Sequence, residues 1–219
     1  MQRFLAINPG QLVKKLLVVD PVKAPAETYT GPVMRAASRH FEAQFACRIG
    51  EVELHGLASQ ADAIWVDWCT EEIAFLSRTN HLKKPLFVRV HAFEVLEGRA
   101  ASAVVWENVT AVVAVSSHVA SLLRSQVPDI DARTLVLIIP NGVDLERFAP
   151  SQRFSVSDIA WVGVIAPKKN PFVALHILKE LTGRGGRSYR LHVAGESANP
   201  RSAMHFDHLT KALALSDRV

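Results

Sequence analysis

Leu135-Val-Leu-Ile-Ile-Pro-Asn-Gly-Val-Asp-Leu-Glu-Arg-Phe148 is the stretch that decides the fold. Apolar residues run from Leu135 to Ile139 without alternation. That pattern predicts a strand buried on both faces, as in a parallel sheet covered by helices. Pro140 stops the ladder because it has no backbone N–H to donate. Asn141 and Gly142 both tolerate positive φ and predict a sharp turn at the carboxyl end of the strand. In open α/β sheets ligands collect at that edge. A plain surface turn after a buried strand is the competing reading.

Strand and helix signals alternate on the amino-terminal side of this stretch. Leu16 to Asp20 reads as a first strand stopped by Pro21, and Val22 to Gly31 as an exposed loop. Gly31-Pro32 opens a helix with Val33, Ala36, Ala37, His40, Phe41 and Phe45 as its apolar stripe. Ile49 to Leu54 is an ambiguous strand, and Ala63 to Trp68 a firmer one. Thr70-Glu71-Glu72 starts a helix with acid in its first turn, where the dipole favours it. Lys83-Lys84-Pro85 reads as a surface break. Leu86 to Val90 is a strand that delivers His91 at its carboxyl end. Ala100 to Glu107 reads as a short helix and Val109 to Val115 as a strand. Ser116-Ser117 caps a helix from His118 to Gln126. This order predicts an α/β fold with a doubly wound parallel sheet over residues 1–150.

Beyond a polar linker from Arg147 to Ser157 the pattern restarts, and residues 151–219 read as the start of a second, Rossmann-like domain. Ile159 to Ile165 is a strand containing Gly163. Asn170-Pro171 reads as an N-cap followed by Pro at the first helical position. Val173, Ile177, Leu178 and Leu181 form the expected buried stripe of that helix. Leu191 to Ala194 is a strand stopped by Gly195, and a last helix spans about Ser202 to Ala214. Roughly 60 residues from Ser157 onward hold fewer elements than a doubly wound domain needs, so this second domain is expected to be incomplete.

Composition narrows the function classes. The chain has 219 residues, 49% of them hydrophobic and 21% charged, enough for a sizeable core. No apolar run reaches the length of a membrane-spanning helix, and Met1 to Gly10 lacks the pattern of a secretory signal. A net charge of +4 permits weak attraction to anionic substrates or lipid head groups without demanding nucleic acid. Cys47 and Cys69 make neither a metal motif nor a disulfide framework, which points to a reducing cytoplasm.

The best chemical site on residue types alone is Gly163 to Pro171. Gly163 lets the backbone approach a ligand at a strand end. The amides after Asn170 form a helix amino terminus, which attracts anions, and Lys169 adds a full positive charge. Phosphate is the natural guest; a capped surface helix with solvated lysines is the alternative. His91, preceded by Arg89 and followed by Glu94, is placed to exchange a hydrogen bond with a substrate hydroxyl, or to be a satisfied structural histidine. Asp129-Ile-Asp131 resembles a metal-holding acidic pair but also a solvated turn. His205 and His208 have no evident third ligand. Gly183-Arg-Gly-Gly-Arg187 follows a helix, whereas a phosphate cradle precedes one.

Taken together, several stretches resemble glycosyltransferase family 4. They are Val113-Ala-Val-Ser-Ser-His118, Val136 to Phe148 with Pro-Asn-Gly-Val-Asp, Trp161-Val-Gly163 with Lys169, and Leu191-His-Val-Ala-Gly195. The resemblance covers about Asp62 to Val219. Trp65 to Trp68 and Val88-Arg-Val-His-Ala-Phe-Glu94 also resemble a bacterial subgroup acting on surface polysaccharides. The resemblance implies a retaining, metal-independent enzyme of the GT-B fold, with an amino-terminal acceptor domain and a carboxyl-terminal nucleotide-sugar domain facing across a cleft. It implies that Asn141 and Gly142 lie at the cleft near the hinge. Lys169, with Gly163 and Asn170, would meet the donor diphosphate, and His91 the transferred sugar as the catalytic-site histidine. It implies no cofactor other than the nucleotide-sugar donor substrate, a sugar, lipid-linked or protein acceptor, and no nucleic acid. The implied location is the cytoplasm, with weak peripheral association at the inner face of the membrane.

The chain departs from the family pattern in three places. Val164 stands where the family often has Arg, no Gly-Gly loop is visible from Leu16 to Gly31, and the acidic pair that grips the donor would lie beyond Val219. The chain as given is therefore expected not to catalyse transfer by itself. Two other functions remain open at this point. One is a nucleotide-sugar epimerase of the same architecture. The other is a non-catalytic partner subunit docking through the Ala92 to Val109 region or a basic surface.

Overall fold

A computed structural model describes residues 15–21, 30–80, 83–97, 101–152, 157–184 and 188–219. The chain divides into two compact units, Met1–Val143 and Asp144–Val219. The expected exposed loop from Val22 falls mainly outside the described residues, as do the glycines at 185 and 186.

The first unit is built on a parallel sheet. In chain order its elements are β1 (Lys15–Val19), α1 (Thr30–Ala37), β2 (Glu42–Ala46), α2 (Glu51–Gln60), β3 (Ala63–Asp67) and α3 (Glu71–Thr79). β4 (Leu86–Val90), α4 (Ala92–Glu97), β5 (Ala111–Ala114), α5 (Ser117–Gln126), α6 (Ile130–Arg133) and β6 (Leu135–Ile138) follow. The six strands lie in the order β2-β1-β3-β4-β5-β6, and every neighbouring pair is parallel. This is a Rossmann-like α/β arrangement. Strand order reverses around β1, so the topological switch point, where such sheets bind ligands, lies at the carboxyl ends of β1 and β3.

Burial corrects the reading of the decisive stretch. The strand buried along its whole length is β5, whose four residues are all buried. β6 is an outer strand: Ile138 and, just past its end, Ile139 are 48% and 53% exposed. A run of apolar residues cannot report whether a neighbour exists on each side, and among the described residues β6 pairs with β5 alone. Nor does a sharp turn follow. Neither Asn141 nor Gly142 has positive φ. The chain bends instead at 145–147, where the Asp144 carboxylate accepts from the amides of Glu146 and Arg147, both at 3.1 Å.

The region from 33 to 60 also differs from expectation. The first helix stops at Ala37, and Phe45 lies in β2. Alternation over Glu42-Ala-Gln-Phe-Ala46 is a strand signal that the helical stripe had absorbed. The expected strand at Ile49 to Leu54 is the start of α2. Glu51 and Glu53 occupy its first turn, and Leu54 and Ala58, one turn apart, are its buried residues. Lys84 is no mere surface break. Its Nζ donates to the carbonyls of Ala58, Ser59 and Ala61 at 2.9, 2.5 and 2.6 Å, satisfying the carboxyl end of α2. Ala100 to Glu107 holds two 3-10 turns, Ala101–Ala103 and Trp106–Asn108. Trp106 is fully buried, and its indole N–H donates to Ala101 O at 3.0 Å.

The second unit contains β7 (Asp158–Val162), a 3-10 turn at Pro167–Lys169, α7 (Pro171–Gly183), β8 (Arg190–Ala194) and α8 (Pro200–Ala212). β7 and β8 pair in parallel as a separate two-stranded sheet. Leu175, Leu178, Leu191, Phe206 and Leu215 form its core. The opposite row of the sheet, including Ala160, Val162 and Ala194, is exposed. α7 buries Pro171, Leu175 and Leu178, while the expected Val173 and Ile177 are exposed. Most positions of Phe172-Val-Ala-Leu-His-Ile-Leu178 are apolar, so two stripes share the helical period and the pattern does not choose between them. Among the described residues no helix is long and apolar enough to cross a membrane.

Candidate functional site

The carboxyl edge of the first sheet gathers most of its buried polar groups. Asp20 directly follows β1 and Asp67 ends β3, and both residues are buried. Arg89, near the end of β4, places Nε 3.6 Å from the Asp67 carboxylate and donates from a terminal nitrogen to Asn141 Oδ1 at 2.9 Å. The segment after β6 is thus tied to the middle of the sheet by one guanidinium. This gives Asn141 a fixed partner, while a Cβ built at Gly142 meets nothing within 4 Å.

His91 follows β4 directly and occupies the position before α4. Its amide donates to Glu94 Oε2 at 2.6 Å, and its Nδ1 lies 3.2 Å from Glu94 Oε1. Glu94 therefore acts as the returning half of a capping box, three residues into the turn. The Trp68 ring lies over the imidazole, with centroids 4.2 Å apart and planes inclined by 30°. Trp68 has φ of +116°, a conformation that a bulky side chain rarely adopts. Its indole N–H is buried and has no hydrogen-bond partner among the described residues. Cys69, next in the chain, is buried. Burial and then the Glu94 carboxylate push its thiol up to about 12, so it is no thiolate nucleophile at neutral pH.

In the second unit Gly163 follows β7, and Gly195 follows β8. Their backbones touch: the Gly163 amide donates to Ala194 O at 3.0 Å, and a Cβ at residue 195 would stand 1.8 Å from Gly163 O. Past Gly163, the 3-10 turn carries Lys168 and Lys169, both exposed. The expected cap at Asn170 takes another form. Asn170 is left-handed at φ 50°, ψ 47°, and its side chain makes no capping bond. Its amide closes the preceding turn on Pro167 O at 3.0 Å, so it is committed before α7 begins. Asn199-Pro200 is the pair that caps: Asn199 Oδ1 accepts from the Ser202 amide at 2.9 Å, starting α8 two residues before the sequence reading put it.

The weaker sequence signals resolve into packing. Asp131 is held by Arg124 through two bonds of 2.6 and 2.8 Å, and Asp129 lies 3.6 Å from Arg133. His205 stacks on Phe172 with centroids 4.4 Å apart. Among the described residues no group of three or more His, Cys, Asp or Glu could hold a metal ion. A cavity of about 200 Å³ lined by His55, Leu76, Thr79, Asn80 and Lys84 lies beside the carboxyl ends of α2 and α3. Helix ends in such a sheet sit opposite the carboxyl edge of the strands, and the polar groups of Thr79, Asn80 and Lys84 bond within the fold.

Sequence reasoning singled out His91, Asn141, Gly163 and Lys169, but gave no role to Asp67, Trp68 or Gly195. The three-residue step from His91 to Glu94 was a readable capping signal. Nothing in the sequence announces positive φ at a tryptophan.

The first unit is a doubly wound, Rossmann-like α/β unit whose polar groups converge at the carboxyl edge of its sheet. No protein-family model matches the chain, and no curated protein matches it.

Proposed function

We propose that the chain belongs to a retaining, metal-independent glycosyltransferase of the GT-B fold that uses a nucleotide-sugar donor. The observation that carries this reading is the paired glycine edge of the second unit, followed at once by Lys169 and the first turn of α7. A diphosphate leaving group needs fixed positive charge and backbone donors where its charge develops. Gly163 keeps the strand end low, Lys169 supplies the cation, and the amides after Asn170 supply donors at a helix start. In the first unit His91 offers an imidazole edge to a sugar hydroxyl. A bacterial surface polysaccharide or glycoconjugate fits the subgroup resemblance as product. The cytoplasm, including the inner membrane face, is where such donors would be met. The acceptor is a sugar, a lipid-linked sugar or a protein.

Calorimetric titration with nucleoside diphosphates tests the reading. Saturable binding weakened about tenfold by Lys169→Ala is expected, the loss of one charge-assisted contact. Absence of binding at millimolar nucleotide, or affinity indifferent to Lys169, would defeat it.

A further inference from the structure

We propose that Arg89 clamps the base of the connection between the two units and confines its joint to Gly142 and Val143. The last ladder bond of the first sheet runs from the Ile139 amide to Ala114 O at 3.0 Å. Pro140 follows, and its ring fixes φ. Asn141 is next, and its Oδ1 accepts from the Arg89 guanidinium at 2.9 Å. Arg89 belongs to β4, and β5 lies between that strand and β6. The same guanidinium places Nε 3.6 Å from the carboxylate of Asp67, a buried residue on an inner strand. The clamp is therefore rooted in the interior and not in the outer strand. It needs a forked cation, with Nε turned to one partner and a terminal nitrogen to the other. The restraints stop at Asn141. Gly142 has the widest backbone freedom of any residue type, and a Cβ built on it meets nothing within 4 Å. Val143 is 67% exposed. Among the described residues neither makes a hydrogen bond. Order resumes at Asp144, where the second unit begins. Its carboxylate accepts from the Glu146 and Arg147 amides, and its carbonyl from the Phe148 amide at 2.8 Å. Unrestrained residues between anchored ends are the form of a hinge. Asn141 and Gly142 are adjacent, yet the first stands on the fixed side and the second on the moving side.

Nitrogen-15 relaxation of the full chain reads backbone order residue by residue. In the wild type, Ile139 and Asn141 are expected near the rigid order parameter of about 0.85, and Gly142 and Val143 below about 0.6. Asn141→Ala removes the acceptor from an exposed residue and should drop residue 141 to the level of Gly142. Arg89→Lys keeps a cation beside Asp67 but cannot fork, and should give the same drop. In both variants the smaller unit should tumble more independently, with a shorter rotational correlation time. A wild-type Asn141 as mobile as Gly142, a rigid Gly142–Val143 pair, or unchanged order at residue 141 in Asn141→Ala overturns the proposal. Should Arg89→Lys fail to fold, the wild-type and Asn141→Ala spectra decide the matter. No nucleotide enters the measurement, so its failure leaves the glycosyltransferase reading to be judged by nucleotide binding.

Discussion

The carbonyl oxygen of Gly163 occupies the space that a side chain at residue 195 would need, 1.8 Å from where its Cβ would stand. The two glycines directly follow adjacent parallel strands, β7 and β8, and their backbones meet with no room for a side chain at residue 195. Gly195 is fixed by sterics twice over, because its φ of +151° is also one that side chains rarely adopt.

Gly195→Ala is therefore expected to destabilise the second unit by at least about 2 kcal/mol, since the obstructing atom is backbone and cannot swing aside. Hydrogen exchange at the β8 amides would read the loss. Gly142→Ala serves as the control, with open space around its Cβ, and should stay within about 0.5 kcal/mol of the parent. Equal stability of the two variants would contradict the account of the glycine edge.

The two Asn-Pro pairs should respond in opposite ways. Asn199→Ala removes the side-chain acceptor for the Ser202 amide and is expected to cost about 1 kcal/mol. Asn170→Gly removes no capping bond and relaxes a left-handed residue, so it should be neutral or slightly stabilising. Urea unfolding midpoints compare them; a destabilised Asn170→Gly chain would show that residue 170 holds its helix through the side chain after all.

Arg124 and Asp131 join α5 to α6 at the surface. Hydrogen bonding from Arg124, and secondarily its charge, holds the Asp131 carboxyl below the ordinary range. A depressed folded value means that the contribution is present above the unfolded pKa of about 4 and is lost as pH falls through the folded one. Both side chains are more than a third exposed, so screening keeps the effect small. Asp131→Asn should cost less than about 1 kcal/mol at neutral pH, and the difference should vanish in acid or in concentrated salt. Paired unfolding curves across pH measure this, and a gap that widens in acid would reverse the sign argued here.

Much of the first sheet was legible because its inner strands are apolar apart from Lys15, Asp67 and Arg89, and several are followed by clear helix starts. Ser116 caps α5 as its residue type predicts, accepting from the Val119 amide at 3.2 Å. β2 was not legible, since Phe41 and Phe45 extend a helical spacing as well as they alternate. The place of β6 in the sheet was hidden for another reason. Edge or centre is a property of neighbours, and apolar residues suit both. At the site, residue types marked His91 and Lys169, but the Trp68 stack and the Gly163–Gly195 contact arise from residues distant in sequence. Only the paired strands bring them together.

The position of β6 has a consequence for how the molecule wears under heat. An outer ribbon with partly wet side chains is the first piece expected to peel from the sheet, and Asn141 leaves with it. Arg89 would then lose its far anchor while the interior strands stay zipped. Function built on that rim should fade at a milder temperature than the one that melts the domain.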